Sequence, residues 1–291
     1  MIIKEFNMLN DETISEIKNL VSACNKHDGL NGMIELDASL NLNKEMKTIF
    51  MMYDDHKLVS ALTLFVPGSK EGEVSAMTIS EYRAKGCFTQ LVKRAEAELK
   101  KYGVNEILFL CEAKSTHGKA AIAKQKAHYE FTEYLLRYNH SLDKKVKDYK
   151  YRIKLYTATL DDLESIIKIS MAAFGDSYEG AKSLATGMLN ADNRQFFLGE
   201  IDGEFVAMGV AAKEAAKEDE GTSIHGLGVL PEHQGKGYGK EMLYSIINKL
   251  AEQRVENINI EVESENLNAF QLYKNSGFEV ESAWEYYRKV I

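Results

Sequence analysis

The sequence predicts a mixed α/β protein made of two related halves. Three observations carry this reading. The chain has 291 residues, the length of two ordinary domains. Apolar stretches with a two-residue period alternate with stretches of helical period along its whole length. The chain also resembles itself: residues 1–20 and 151–169 each read as a short strand, a polar turn with Asp and an amphipathic helix.

The later elements repeat in the same order. Residues 47–66 read as a hairpin turning at Asp54-Asp55-His56-Lys57. Residues 195–211 read as another, turning at Asp202-Gly203, a strong two-residue turn. Residues 73–85 lie about 151 positions before a second strand that begins at Ile224. Each is followed by a turn and a helix, with Leu91, Val92, Ala95 and Leu99 apolar in the first, and Leu243, Ile246, Ile247 and Leu250 in the second. A further strand follows at 107–110 and at 258–262. Only two prolines occur, so no Pro-rich linker is expected. The polar, lysine-rich residues 140–151 are the expected connector between domains 1–145 and 151–291.

Bulk properties exclude several classes. Hydrophobic residues make up 45% and charged residues 27%, which is globular rather than disordered. No apolar run reaches membrane-span length, and residues 1–11 lack the basic-then-apolar pattern of an export signal. Cys24, Cys87 and Cys111 are too widely spaced for a disulfide framework or a zinc pattern. These features point to a cytoplasmic protein without a metal. Net charge is −8, and residues 151–291 hold 14 Lys/Arg against 23 Asp/Glu. That balance argues against nucleic acid as a partner and suits a cationic, amine-bearing one.

The most informative stretch is 224–240, IHGLGVLPEHQGKGYGK. Ile224, Leu227, Val229 and Leu230 form a strand that Pro231 ends. Gln234-Gly235-Lys236-Gly237-Tyr238-Gly239 then leads into a helix. Bare amides at a helix N-terminus favour an anion such as a phosphate. A P-loop is excluded because no Gly-Lys-Ser/Thr is present, and a Rossmann loop lacks its third glycine at Lys240. Downstream, residues 266–278 read NLNAFQLYKNSGF. The pattern Gln-x-x-Gly-x-Gly after Val-x-Pro resembles motif A of the GNAT N-acetyltransferase superfamily. Asn266, Ala269, Leu272, Tyr273, Gly277 and Phe278 resemble its motif B.

The resemblance covers residues 152–291 well and the first half loosely. It implies tandem GNAT-like domains, each a mixed central sheet flanked by helices, and an enzyme using acetyl-CoA as acyl donor. Residues implied at the donor are Leu227, Gly228 and Val229 along the pantetheine arm, Gln234, Gly235, Lys236, Gly237, Tyr238, Gly239 and Lys240 around the diphosphate, and Asn266, Ala269, Phe270 and Tyr273. Tyr273 is the implied proton donor to the departing thiolate. A general base must also act, because a lysine-like amine costs roughly 4–5 kcal/mol to deprotonate near pH 7. His225, Glu261 and Glu263 are the candidates. The acceptor is expected to be a small-molecule or peptide amine, and the protein a monomer or homodimer. A non-catalytic acyl-CoA-binding module, or an enzyme using a larger acyl-CoA, remains open.

The first half departs from the pattern. Arg83 and Gly86 fit motif A, but Phe88 stands where the last glycine stands in the second half. Aligning residues 128–130 with 277–279 puts Lys124 opposite Tyr273 and His117 opposite Asn266, so this half is expected to be structural or substrate-shaping. Trp284, Tyr286 and Tyr287 are expected in a last strand, as core or as acceptor lining. Asp176 and Glu179 are helix acids that can border an acceptor, and residues 213–221 read as a solvated loop.

Overall fold

A computed structural model of the chain describes residues 1–36, 41–213 and 221–291. Residues 214–220 of the expected solvated loop lie outside the described residues. The chain divides into two compact units. Unit 1 comprises Met1–Glu133 together with Ser282–Ile291, and unit 2 comprises Tyr134–Glu281. The lysine-rich stretch 140–151 falls inside unit 2 and carries a short helix there.

Unit 1 contains β1 (Ile2–Phe6), α1 (Asp11–Asp28), β2 (Ile49–Asp54), β3 (Lys57–Phe65), β4 (Glu71–Thr78), α2 (Cys87–Lys101), β5 (Glu106–Glu112), α3 (Thr116–Ala123) and the first part of β6 (His128–Tyr138). Local signals account for most of these elements. Asn10 caps α1 by accepting the Thr13 N–H at 2.9 Å, and Gly29, at φ +65°, ends it. Ile17, Leu20 and Cys24 face the core from one side of α1, as Leu91, Val92, Ala95 and Leu99 do from α2. Burying each such aliphatic side chain contributes about 1.5–3 kcal/mol. β1 to β4 are antiparallel neighbours in sequence order, while β4 and β5 run parallel across the α2 crossover.

Unit 2 repeats this plan. Its elements are the rest of β6, α4 (Asp143–Lys147), β7 (Lys154–Thr157), α5 (Leu163–Phe174), α6 (Tyr178–Leu189), β8 (Arg194–Ile201), β9 (Glu204–Lys213), β10 (Thr222–Val229), α7 (Tyr238–Glu252), β11 (Ile258–Glu263), α8 (Leu267–Asn275) and the first part of β12 (Phe278–Val290). β7, β8, β9 and β10 pair antiparallel in turn, and β10 and β11 run parallel. Met242, Leu243, Tyr244, Ile246, Ile247 and Leu250 of α7 are buried in one core with Val206, Ala207 and Ala211 of β9, Ile224 of β10 and Ile258, Ile260 and Val262 of β11. Both units are therefore mixed α/β, as expected.

The last strand behaves in a way the sequence did not announce. From Trp284 onward, β12 pairs antiparallel with β5 and so completes unit 1. Tyr286 stacks on Phe131 with ring centres 4.4 Å apart and donates to Glu133 at 2.7 Å. The aromatic trio of the last strand thus belongs to unit 1. The chain leaves unit 1 within β6 and re-enters it within β12.

Candidate active site

In unit 2 the site forms where two parallel strands part. The β10–β11 ladder ends at Ile224 and Ile260, while β10 continues to Val229 and β11 to Glu263. His225 and Glu261 follow directly on the last paired residues, so both candidate bases stand at the fork, with exposed side chains. Glu263 is exposed two residues further on. Against β9, the register of β10 shifts between His225 and Gly228, a bulge that turns the strand out of line. Gly228 is overlaid by the end of α5: a Cβ there would lie 2.8 Å from Phe174 Cζ and 3.1 Å from Ala173 Cβ.

The loop after β10 supplies the second wall. The Gln234 side chain turns back and donates to the Val229 carbonyl at 3.0 Å, so it ties the loop to the strand end. Gly235 and Gly237 have φ of +72° and +89°, values that side chains disfavour. Gly237 caps α7 without any side-chain hydrogen bond. The first-turn amides of a fifteen-residue helix therefore open onto the loop, an arrangement suited to an anion. At Gly239 the walls converge, since a Cβ there would sit 3.7 Å from Val229 Cγ2 and 3.8 Å from Leu272 Cδ2 of α8.

Helix α8 brings the remaining residues. Asn266 caps it, its side-chain oxygen accepting the Ala269 N–H at 3.1 Å. Ala269 and Phe270 are half-buried, and Phe270 packs on Tyr134 at 5.2 Å. Tyr273 is buried, and burial pushes its phenol up to about 12, so it carries its proton throughout the neutral range. Of the two expected loop cations, Lys236 is exposed, whereas the Lys240 ammonium lies over the Tyr149 and Tyr244 rings at 5.5 and 5.3 Å. In the helix pair before the site, Asp176 accepts from Ser170 Oγ at 2.6 Å, and Glu179 is exposed on α6.

One cation at this loop escaped the sequence reading. Arg152 enters from just before β7, and its Nη2 donates to the Lys236 carbonyl at 2.6 Å. Its guanidinium lies 4.6 Å above the Tyr238 ring. It is held by Glu241 of α7, a carboxylate only 1% exposed, which accepts from the Arg152 backbone N–H and side-chain Nε, both at 2.8 Å, and from Arg152 Nη2. The 89-residue separation hides this pair from motif comparison. In the sequence Glu241 reads as an ordinary first-turn acid of α7, so nothing local points to the pair.

Unit 1 has the same backbone at an offset of 151 residues. Ala84 and Gly86, at φ +58° and +84°, match Gly235 and Gly237. Arg83 Nε donates to the Thr78 carbonyl at 2.9 Å, as Gln234 does to Val229. The same offset pairs the cap Ser115 with Asn266, Ile122 with Tyr273 and Lys126, at φ +60°, with Gly277, at φ +93°. The expected alignment of Lys124 with Tyr273 and His117 with Asn266 is thus two residues out, because it set His128 opposite Gly277 whereas the equivalent left-handed turn falls at Lys126. A cavity of about 430 Å³ opens beside the unit 1 loop, lined among others by Arg83, Phe88, Phe109, Ile122 and Trp284. Arg83 is engaged there in a two-pronged pair with Asp28, both bonds at 2.7 Å, which holds that carboxyl below its usual range. Cys24, Cys87 and Cys111 also line the cavity, and burial raises each thiol, Cys111 to about 11. Among the described residues no group of three or more His, Cys, Asp or Glu is placed to hold a metal, and no helix is long and apolar enough to cross a membrane.

A mixed sheet whose parallel strands fork beside a glycine-opened helix is the architecture of an acetyltransferase fold. Residues 163–278 match the model of the acetyltransferase (GNAT) family. No curated protein sequence matches the chain. Among solved structures, a GCN5-related N-acetyltransferase from Sphaerobacter thermophilus superimposes with a TM-score of 0.78 at 15% identity, over 99% of this chain and 95% of that one. A tandem GNAT protein from the clavulanic acid biosynthesis pathway superimposes with a TM-score of 0.75 at 15% identity, over 99% and 98%. A GNAT-family acetyltransferase from Colwellia psychrerythraea does so with a TM-score of 0.68 at 15% identity, over 99% and 100%. At such identity the likeness is one of fold, here the tandem GNAT fold.

Proposed function

We propose that unit 2 is an N-acetyltransferase that moves an acetyl group from acetyl-CoA to a primary amine while both substrates are bound. The observation that carries this reading is the loop at Gly235–Gly237, which opens uncapped helix amides within reach of the strand fork and of α8. The donor supplies an acetyl thioester. The loop amides hold its diphosphate. The backbone of Leu227–Val229, past the last β10–β11 pair, lies along its amide-bearing arm. The chain's own side chains then manage two protons. An exposed base at the fork, His225 or Glu261, relieves the amine of a proton as its nitrogen forms the bond to the acyl carbon. The C–S bond breaks, and the Tyr273 phenol offers its proton to the leaving sulfur. A phenol near 12 is a weak acid beside a thiol near 8.5 in water. The burial that raises the phenol raises a thiol in the same surroundings too, as it does for all three cysteines of this chain. The transfer is therefore closer to balanced than the aqueous values imply.

The non-catalytic reading fits unit 1. Ile122 stands where Tyr273 stands, so a ligand in the unit 1 cavity would have no phenol at the corresponding place. The test is thiol release from acetyl-CoA across a panel of small amines, amino acids and peptides. Release that depends on an amine and on Tyr273 supports the assignment. Tight CoA binding with no release from any amine would instead favour a binding module for the whole chain.

A further inference from the structure

Resting on the acyl-CoA reading above, we propose that Arg152 is a further donor-binding residue, a fixed cation at the rim of the unit 2 loop that meets the diphosphate, and that Glu241 holds Arg152 there. The geometry is over-determined. One Glu241 oxygen accepts the backbone N–H groups of Arg152 and Ile153, at 2.8 and 3.1 Å, and the other accepts from Nε and Nη2 of the Arg152 side chain. Nη2 continues to the Lys236 carbonyl at 2.6 Å, between the two left-handed glycines, and lies 3.4 Å from where a Gly237 Cβ would stand. With that carbonyl turned toward the guanidinium, the loop amides are left to face the other way. The Arg152 side chain stays 54% exposed while its partner is 1% exposed, so the fixed charge sits at the rim, where a ligand can meet it.

The chain provides its own control. At the 151-residue offset, Met1, Cys87 and Gln90 of unit 1 stand where Arg152, Tyr238 and Glu241 stand in unit 2. Cys87 Sγ meets Met1 Sδ at 3.9 Å in place of a charged pair. Yet the unit 1 loop has the same left-handed geometry at Ala84 and Gly86. The loop shape therefore forms without the ion pair. A carboxylate taken out of water is a poor source of net stability, so the pair is explained by what it does for a ligand. Lys240 is no substitute, since its ammonium lies over Tyr149 and Tyr244.

The test copies the unit 1 residues into unit 2 as the double variant R152M/E241Q. This leaves no charge buried alone, and circular dichroism checks that it folds. Calorimetry then compares three probes: CoA, 3′-phospho-ADP as its diphosphate half, and pantetheine as its arm. Affinity for CoA and for 3′-phospho-ADP should fall together, by about 10- to 100-fold, the range expected for charge-assisted hydrogen bonds to phosphate. Pantetheine binding should not change, a split that general damage to the fold would not produce. R152K, which keeps the charge but loses the fork, should fall between. Unchanged CoA affinity in the double variant, or an equal loss for pantetheine, overturns the proposal. A wild-type protein that binds none of the three probes overturns the acyl-CoA reading itself, and the proposal with it.

Discussion

Replacing each loop glycine with alanine should give three different results, because the three sit in different backbone and packing environments. Gly239 has ordinary helical geometry, and its nearest neighbours would be 3.7 Å from a new methyl group, which is normal contact. Gly239→Ala should leave stability unchanged or raise it by up to about 1 kcal/mol through helix propensity. Gly235 has φ +72° but open space around it. A left-handed alanine costs roughly 1–2 kcal/mol, and the stiffer unfolded chain returns about 0.4–1 kcal/mol, so the net loss should lie between zero and about 1.6 kcal/mol. Unit 1 already tolerates this substitution at Ala84. Gly237 has φ +89°, and its new methyl would press on Arg152 Nη2 at 3.4 Å, a nitrogen tethered to both Glu241 and Lys236. The strain there cannot relax cheaply, and a loss of about 2 kcal/mol is expected, or a fall in melting temperature of about 4–8 °C for a unit of this size. Thermal unfolding followed by circular dichroism reads all three, with CoA titration alongside. Equal melting temperatures for Gly237→Ala and Gly239→Ala would refute the backbone account of the loop.

Other predictions follow from single contacts. Tyr273→Phe should lower kcat by about 10²- to 10⁴-fold, the usual range for a lost general acid, with CoA affinity within a few-fold of wild type; an unchanged kcat in a stopped-flow thiol assay would remove Tyr273 from the chemistry. Gly228→Ala should destabilise the end of α5 by pushing on Phe174, and Phe174→Leu should recover part of that loss; no recovery by thermal melt would mean that the contact is not the cause. Glu73 in unit 1 has its carboxyl raised from 4.5 to about 7 by burial, with Glu133, Glu71 and Glu35 adding to it. A raised acid favours the folded state below its unfolded value, and that advantage is lost as pH climbs from 4.5 through about 7. Glu73→Gln should therefore match wild type near pH 4.5 and exceed it by about 1–2 kcal/mol at pH 8, after discounting partial exposure; parallel denaturation curves at the two pH values would contradict this.

Much of the fold was legible because it is written locally. The Asp202-Gly203 turn, the 151-residue repeat and the apolar stripe of α7 are each set by neighbours in sequence. The left-handed turn at Gly235 and Gly237 and the Asn266 cap of α8 were legible because backbone freedom and a helix start leave glycine and cap signatures. The alignment of the first half slipped because it matched Tyr129-Glu130 to Phe278-Glu279, whereas the left-handed turn equivalent to Gly277 falls at Lys126, without a glycine to mark it. Arg152 was invisible because its partners lie more than 80 positions away and arginine has no positional signature. The pairing of β12 with β5 joins residues 172 to 184 apart, and nothing in either strand names its neighbour.

That pairing bears on the order in which the protein can be made. A ribosome delivers β5 long before residues 282–291, and the intervening 148 residues of unit 2 must appear first. Throughout that interval β5 waits with an open flank, the kind of edge that invites foreign strands. The half synthesised first is thus the half that closes last. Unit 1 cannot be cut out as one continuous piece, because its last strand is separated from the rest of it by the whole of unit 2.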